Sequence, residues 1–135
     1  MGRERKLAIT NIFMINFIEK TLLDAVTATT TSAAVSVEGL RRIGFQFKRA
    51  AHSSGSTAFT VEGTINGTDW TALSVIVSNA TNTNAQTRTR VASVSLASDT
   101  TALAWLEDLV VLKAIRVVAT ETTDGTHSAW MIASE

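Results

Sequence analysis

Cysteine and proline are both missing from the 135 residues. Without cysteine there are no disulfides, thiolate metal sites or cysteine nucleophiles, so packing alone must hold the fold. Without proline, turns rest on glycine, asparagine, aspartate and serine, and no cis-proline step slows folding. Charge of one sign is not in excess: 12 lysines and arginines face 12 aspartates and glutamates. The whole molecule is therefore not drawn to phosphate backbones or anionic lipid, and no nucleic-acid partner is expected. Long apolar runs are also lacking. The longest early one, Leu7 to Ile18, is broken by Thr10, Asn11 and Asn16, too short for a bilayer, and no small-residue cleavage site follows before Glu19-Lys20. No membrane partner is expected either.

What is abundant is threonine and serine, 33 residues together, alongside an apolar fraction of 45%. Threonine is β-branched and stiff at χ1, yet its hydroxyl is comfortable in water, which suits strands with hydroxyl-covered faces. The apolar fraction argues for a packed core rather than disorder, and 14.4 kDa fits one domain.

Alternation with a period of two runs through most of the chain. Ile43, Phe45 and Phe47 share one face, with Arg42, Gln46 and Lys48 opposite, and Gly44 on the polar side marks a bulge or a close backbone approach. Phe59, Val61, Gly63 and Ile65 form the next apolar face. The chain then reverses at Asn66-Gly67, where a two-residue turn with positive φ at both positions is predicted, and returns through Leu73, Val75 and Val77. Residues 78–90 are polar and read as a long surface loop or an extended ribbon. Ser98 or Asp99 caps a predicted helical turn over Ala102, Leu103, Trp105 and Leu106. Ile115 and Val117 with Arg116 and Val118 opposite, then Asp124-Gly125 and a return strand, complete the pattern. Seven or eight short strands at this spacing predict an all-β fold: an antiparallel β-sandwich, jelly-roll or Greek-key, with an N-terminal arm.

Residues 1–24 lack this rhythm and are set apart from a sandwich domain over 25–135. Their apolar block, including Ile12, Phe13, Ile15 and Phe17, is either a first element packed on its own domain or an arm buried against a neighbouring subunit.

Groups for catalysis are thin. His52 and His127 are the only histidines, and neither has a partner at diagnostic metal spacing. Asp69, Asp99, Glu107, Asp108, Glu121 and Asp124 show no spacing for calcium or for a glycosidase pair. No Gly-x-Ser-x-Gly, Gly-x-Gly-x-x-Gly or phosphate-loop pattern occurs. No enzyme activity, cofactor, metal or catalytic residue is expected. Arg41-Arg42, Lys48-Arg49 and Arg88 with Arg90 read as solubilising surface charge. Of the tryptophans, Trp70 and Trp130 suit core or sheet-edge packing, while Trp105, with Leu103, Leu106 and Leu109, is the best intersubunit anchor. The suspected interface is thus Ile12, Phe13, Ile15, Phe17, Trp105, Leu106 and Leu109.

Four stretches, Leu22 to Thr29, Val35 to Gly39, Phe59 to Leu73 and Lys113 to Val118, resemble small bacteriophage head-decoration, or cement, proteins, over roughly residues 22–133. The hairpin is also similar to discoidin-like carbohydrate-binding domains. The phage resemblance implies a structural protein made in the host cytoplasm and carried on the outer surface of the capsid, a homotrimer that ties major capsid protein subunits together. A tail or baseplate protein is the nearest alternative. A carbohydrate-binding module that takes a surface glycan through Trp70 or Trp105 is the other.

Overall fold

The structure, a computed structural model, describes the backbone of residues 5–10, 13–82, 85–107 and 111–135, and the side chains of residues 17–77, 88–107 and 111–135. Thirteen strands are present among them: β1 (Arg5–Thr10), β2 (Phe13–Val26), β3 (Thr30–Thr31), β4 (Val35–Ser36), β5 (Arg42–Ala50), β6 (Thr57–Thr64), β7 (Thr71–Leu73), β8 (Val75–Asn82), β9 (Ala85–Val91), β10 (Val94–Leu96), β11 (Thr100–Trp105), β12 (Ala114–Glu121) and β13 (Thr126–Ser134). They form two antiparallel sheets. The seven-stranded sheet runs β1-β2-β13-β5-β11-β8-β9, and the six-stranded sheet runs β10-β6-β12-β3, with β4 on β12 and β7 on β6. The expected all-β sandwich is what the chain forms.

The alternation decides which side of each strand enters the core. From the seven-stranded sheet come Ile43, Phe45 and Phe47 of β5 with Ala129, Met131 and Ala133 of β13; Phe59, Val61, Ile115, Val117 and Ala119 meet them from β6 and β12. The two layers touch at Phe47 and Phe59, whose rings stack with centroids 4.7 Å apart. Each such side chain taken fully out of water contributes about 1.5–3 kcal/mol. Ile18 and Leu23 of β2 also lie in this core, and residues 17–26 pair along β13. Earlier β2 residues pair only with β1, so the β1–β2 hairpin continues past the end of β13 as a two-stranded ribbon.

Four local expectations are corrected. Thr71–Val77 is not one strand: β7 pairs with β6 in one sheet, while β8 belongs to the other. The turn at Asn66-Gly67 is longer than two residues, since Gly63 pairs with Thr71. Only Gly67 there has positive φ, +87°. Asn66 works through its side chain instead: Oδ1 accepts from the Thr68 and Asp69 amides, both at 2.9 Å, an Asx-type turn that leaves Ile65 in solvent. The predicted helical turn is strand β11, whose Ala102 and Ala104 face inward while Leu103 and Trp105 face out, as its place between β5 and β8 demands.

Arg49 is the fourth. It continues the inward parity of Ile43, Phe45 and Phe47 and is 0% exposed. Its guanidinium donates to the carbonyls of Ser54 (2.8 Å), Gly55 (2.8 Å), Leu96 (3.3 Å) and Asp124 (2.7 Å). Arginine has five donors in a fixed fork, and here four carbonyls from three loops and strand ends meet it. It ties the β5–β6 and β12–β13 connections to the end of β10.

Candidate interaction surface

The outward side of the seven-stranded sheet is less polar than an exposed sheet face needs to be. Register places Thr21, Trp130, Gln46 and Leu103 in one row across β2, β13, β5 and β11, and Glu19, Ile132, Gly44 and Trp105 in the next. Leu103 is 61% exposed and Ile132 52%. Strand β13 explains the pattern: Met131 and Ala133 serve the core, yet Trp130 and Ile132 on the other side are apolar too. A strand apolar on both sides is the mark of a sheet covered on both faces.

Gly44 makes this face concave. It has no side chain to fill the space between Ile132 and Trp105, and a Cβ built there would come only within 3.9 Å of Ile132 Cγ2 and 4.0 Å of the Ala104 carbonyl. Around Gly44 lies an open hollow of about 790 Å³ walled by Trp105, Trp130, Ile132 and Leu103, with Gln46, Thr21 and Glu19 at its polar edge. A second hollow of about 730 Å³ shares Gly44, Trp105 and Ile132 and reaches Arg42 and Ser134.

Cations from three places in the sequence surround it. Arg42 and Lys48 project from β5 on the outward parity, and Arg88 of β9 lies over the Trp105 ring, 5.7 Å from its centroid. Arg90 is bound to Glu107. Arg41-Arg42, Lys48-Arg49 and Arg88 with Arg90 look unrelated along the chain, but the fold sets Arg42, Lys48 and both β9 arginines on this face and withdraws Arg49 into the core.

The suspected interface residues are dispersed. Ile12 and Leu109 lie outside the described residues, as do the side chains of Phe13 and Ile15. Phe17 is half-buried opposite Ser134, near the second hollow. Trp105 is on the hollow's wall. Leu106 belongs to the core, 6% exposed, with its amide donating to the Ile43 carbonyl at 3.0 Å, and it lies at the floor of the second hollow. Trp130, Ile132 and Gly44 are the residues that sequence reasoning missed; the doubly apolar run Trp130 to Ala133 was the available signal.

Elsewhere, polar groups are occupied with structure. Trp70 lies beneath Arg116, 4.3 Å from guanidinium carbon to ring centroid, and Arg116 Nε donates to Glu62 at 2.6 Å. His127 is fully buried; its Nε2–H donates to the Ala28 carbonyl at 3.0 Å while Nδ1 accepts from the Thr57 hydroxyl at 3.3 Å. His52 Nδ1–H donates to Asp99, and the Ser53 hydroxyl donates to Asp124. These bonds, reinforced by the His52 and Ser53 amides, hold both carboxyls below the usual aspartate range. Serine, histidine and aspartate thus stand close together, but the Ser53 hydroxyl is engaged by Asp124, leaving no hydroxyl-to-imidazole relay at that oxygen. Among the described residues no group of three or more histidines and carboxylates could hold a metal ion.

A scan of protein-family models finds no match to the chain, and neither does a comparison with curated protein sequences. Solved structures do match. The crystal structure of the SPBc2 prophage-derived protein YomS superposes with a TM-score of 0.67 at 16% identity, covering 94% of this chain and 100% of that one. The chain shares its fold with a prophage-derived protein. The structure of infectious bursal disease virus, Gx strain, aligns at a TM-score of 0.48 and 11% identity over 98% of this chain and 38% of that one.

Proposed function

We propose that this protein is a structural component of a bacteriophage particle that acts by docking on other subunits and performs no chemistry. The apolar hollow, on a surface otherwise rich in hydroxyls, is the observation that carries this reading, and a fold shared end to end with a prophage-derived protein supports it. In its specific form the protein is a head-decoration protein: a homotrimer on the outside of the capsid, with the seven-stranded face or the β1–β2 ribbon against the major capsid protein. Tail or baseplate attachment is the same physics at another address.

The mechanism is mass action. A protein that binds the assembled shell better than loose subunits shifts the equilibrium toward the shell, and repeated contacts within a trimer multiply weak single ones through effective concentration. No turnover is needed.

A glycan-binding reading draws on the tryptophans at the hollow, because sugar rings stack on indole faces. Trp70, covered by Arg116, is no longer available to it. Cryo-electron microscopy of the particles, with the copies counted, tests the main reading. Trimeric density over the capsid shell is the expected result, whereas density confined to the tail moves the site of action, and absence from the particle together with glycan binding sinks the structural role.

A further inference from the structure

We infer that the Gly44 hollow receives a single large apolar side chain from an acidic segment of the partner protein. This rests on the reading that the protein works by docking, and names the chemistry of what docks. Glycine inside a strand is destabilising relative to alanine, and backbone conformation does not call for it here, since Gly44 is not among the glycines with positive φ. Packing does not call for it either, because a Cβ would meet only ordinary contact distances. A strand glycine without a backbone or packing reason marks a place where another group approaches closely. The space it leaves is walled by Trp105 and Ile132, so what enters is apolar.

Charge identifies the rest of the partner. Arg42 and Lys48 stand six residues apart on β5, about 20 Å along the strand, with Gly44 between them. Neither is in an ion pair among the described residues. Arg88 adds a third cation over Trp105. Of the carboxylates on this face, Glu19 lines the hollow beside Lys20, and Glu107 is taken by Arg90. An apolar centre ringed by cations complements an apolar side chain flanked by carboxylates, and such complementarity sets specificity and on-rate. Single-stranded nucleic acid, whose phosphates meet cations and whose bases stack on indoles, is the rival occupant that the test includes.

The test uses the full chain and two short synthetic peptides, one with a central leucine between glutamates and one with lysines in their place, plus an oligothymidylate of similar length. The three indole N–H signals in a ¹⁵N spectrum report the site. Trp105 and Trp130 line the hollow, and Trp70 on the other sheet is the internal control. The glutamate peptide moves the first two and leaves the third, binds at least about tenfold more tightly than the lysine peptide, and weakens with salt. Gly44→Leu puts a side chain between Trp105 and Ile132 and lowers that affinity at least about tenfold with the unfolding midpoint unchanged; the double variant Arg42→Glu, Lys48→Glu lowers it similarly. Equal binding of both peptides, a tighter oligothymidylate complex, unaltered affinity in Gly44→Leu, or still indoles at millimolar peptide each overturns the inference. Sedimentation of the same chain with phage particles separates the two readings. A chain that sediments but ignores the peptide retains its docking role, whereas one that binds the peptide in the hollow and ignores particles does not.

Discussion

On the outer face of the six-stranded sheet, Arg116 covers Trp70 and is itself held by Glu62, its direct cross-strand neighbour. On the outer face of the seven-stranded sheet, Trp130, Ile132 and Leu103 stand around Gly44, and the ion pair of Arg90 with Glu107 does not include the Arg88 that lies over Trp105. Both faces carry a tryptophan and an arginine stacked on it, yet only one closes upon itself. Where the guanidinium has a carboxylate partner, the aromatic surface becomes part of the fold. Where Arg88 lies over Trp105 beside an empty glycine position, aromatic surface and positive charge remain at the disposal of something else.

The comparison is broken most forcefully from the layer that both faces share. Arg49→Leu leaves four carbonyls without their common donor, and unfolding should become easier by about 3–5 kcal/mol, read as a lowered denaturant midpoint. A loss below about 1 kcal/mol would mean that water replaces the guanidinium and that Arg49 does not join the two sheets.

A matched pair of substitutions sharpens the contrast. Arg116→Ala should cost about 1–2 kcal/mol through the lost ion pair and cation–π stack while particle binding stays as it was. Ile132→Asp should do the reverse, with less than about 0.5 kcal/mol of stability lost at a half-exposed site and particle binding reduced. If the two substitutions exchange their effects, the roles assigned to the faces are the wrong way round.

The smallest effect concerns the loops at the end of the sandwich. Asp99 and Asp124 have carboxyls held below their ordinary range in the folded chain. Their contribution is complete at neutral pH, begins to fade near the unfolded aspartate value of about 3.9, and is gone once the pH drops below the lowered folded values. Thermal midpoints should therefore be insensitive to these groups down to about pH 5. Below that they should fall less steeply in Asp124→Asn than in the native chain; parallel acid limbs would dismiss this role for Asp124.

Much of the sandwich was legible because burial on one side writes a period of two into β5, β6 and β12. The two outer faces were less so. Leu103 and Trp105 read as part of a helical turn because Ala102, Leu103, Trp105 and Leu106 fit helical spacing, and only the tertiary position between β5 and β8 settles them as a strand. Asn66-Gly67 signalled reversal correctly, but an asparagine side chain that accepts backbone hydrogen bonds makes a longer loop than one that adopts positive φ. Arg49 was read from its charge, whereas its parity with Phe45 and Phe47 gave the truer account. The hollow is built from β13, β5 and β11, which lie far apart in the chain, so no local pattern contains it.

Gly44 also bears on how this surface changes over generations. A recess beside a residue with no side chain narrows on substitution at that codon, and since neither backbone conformation nor packing objects to a Cβ there, the strand survives the change. Folding therefore places little constraint on that position, and glycine retained there among homologues would be the signature of selection for docking.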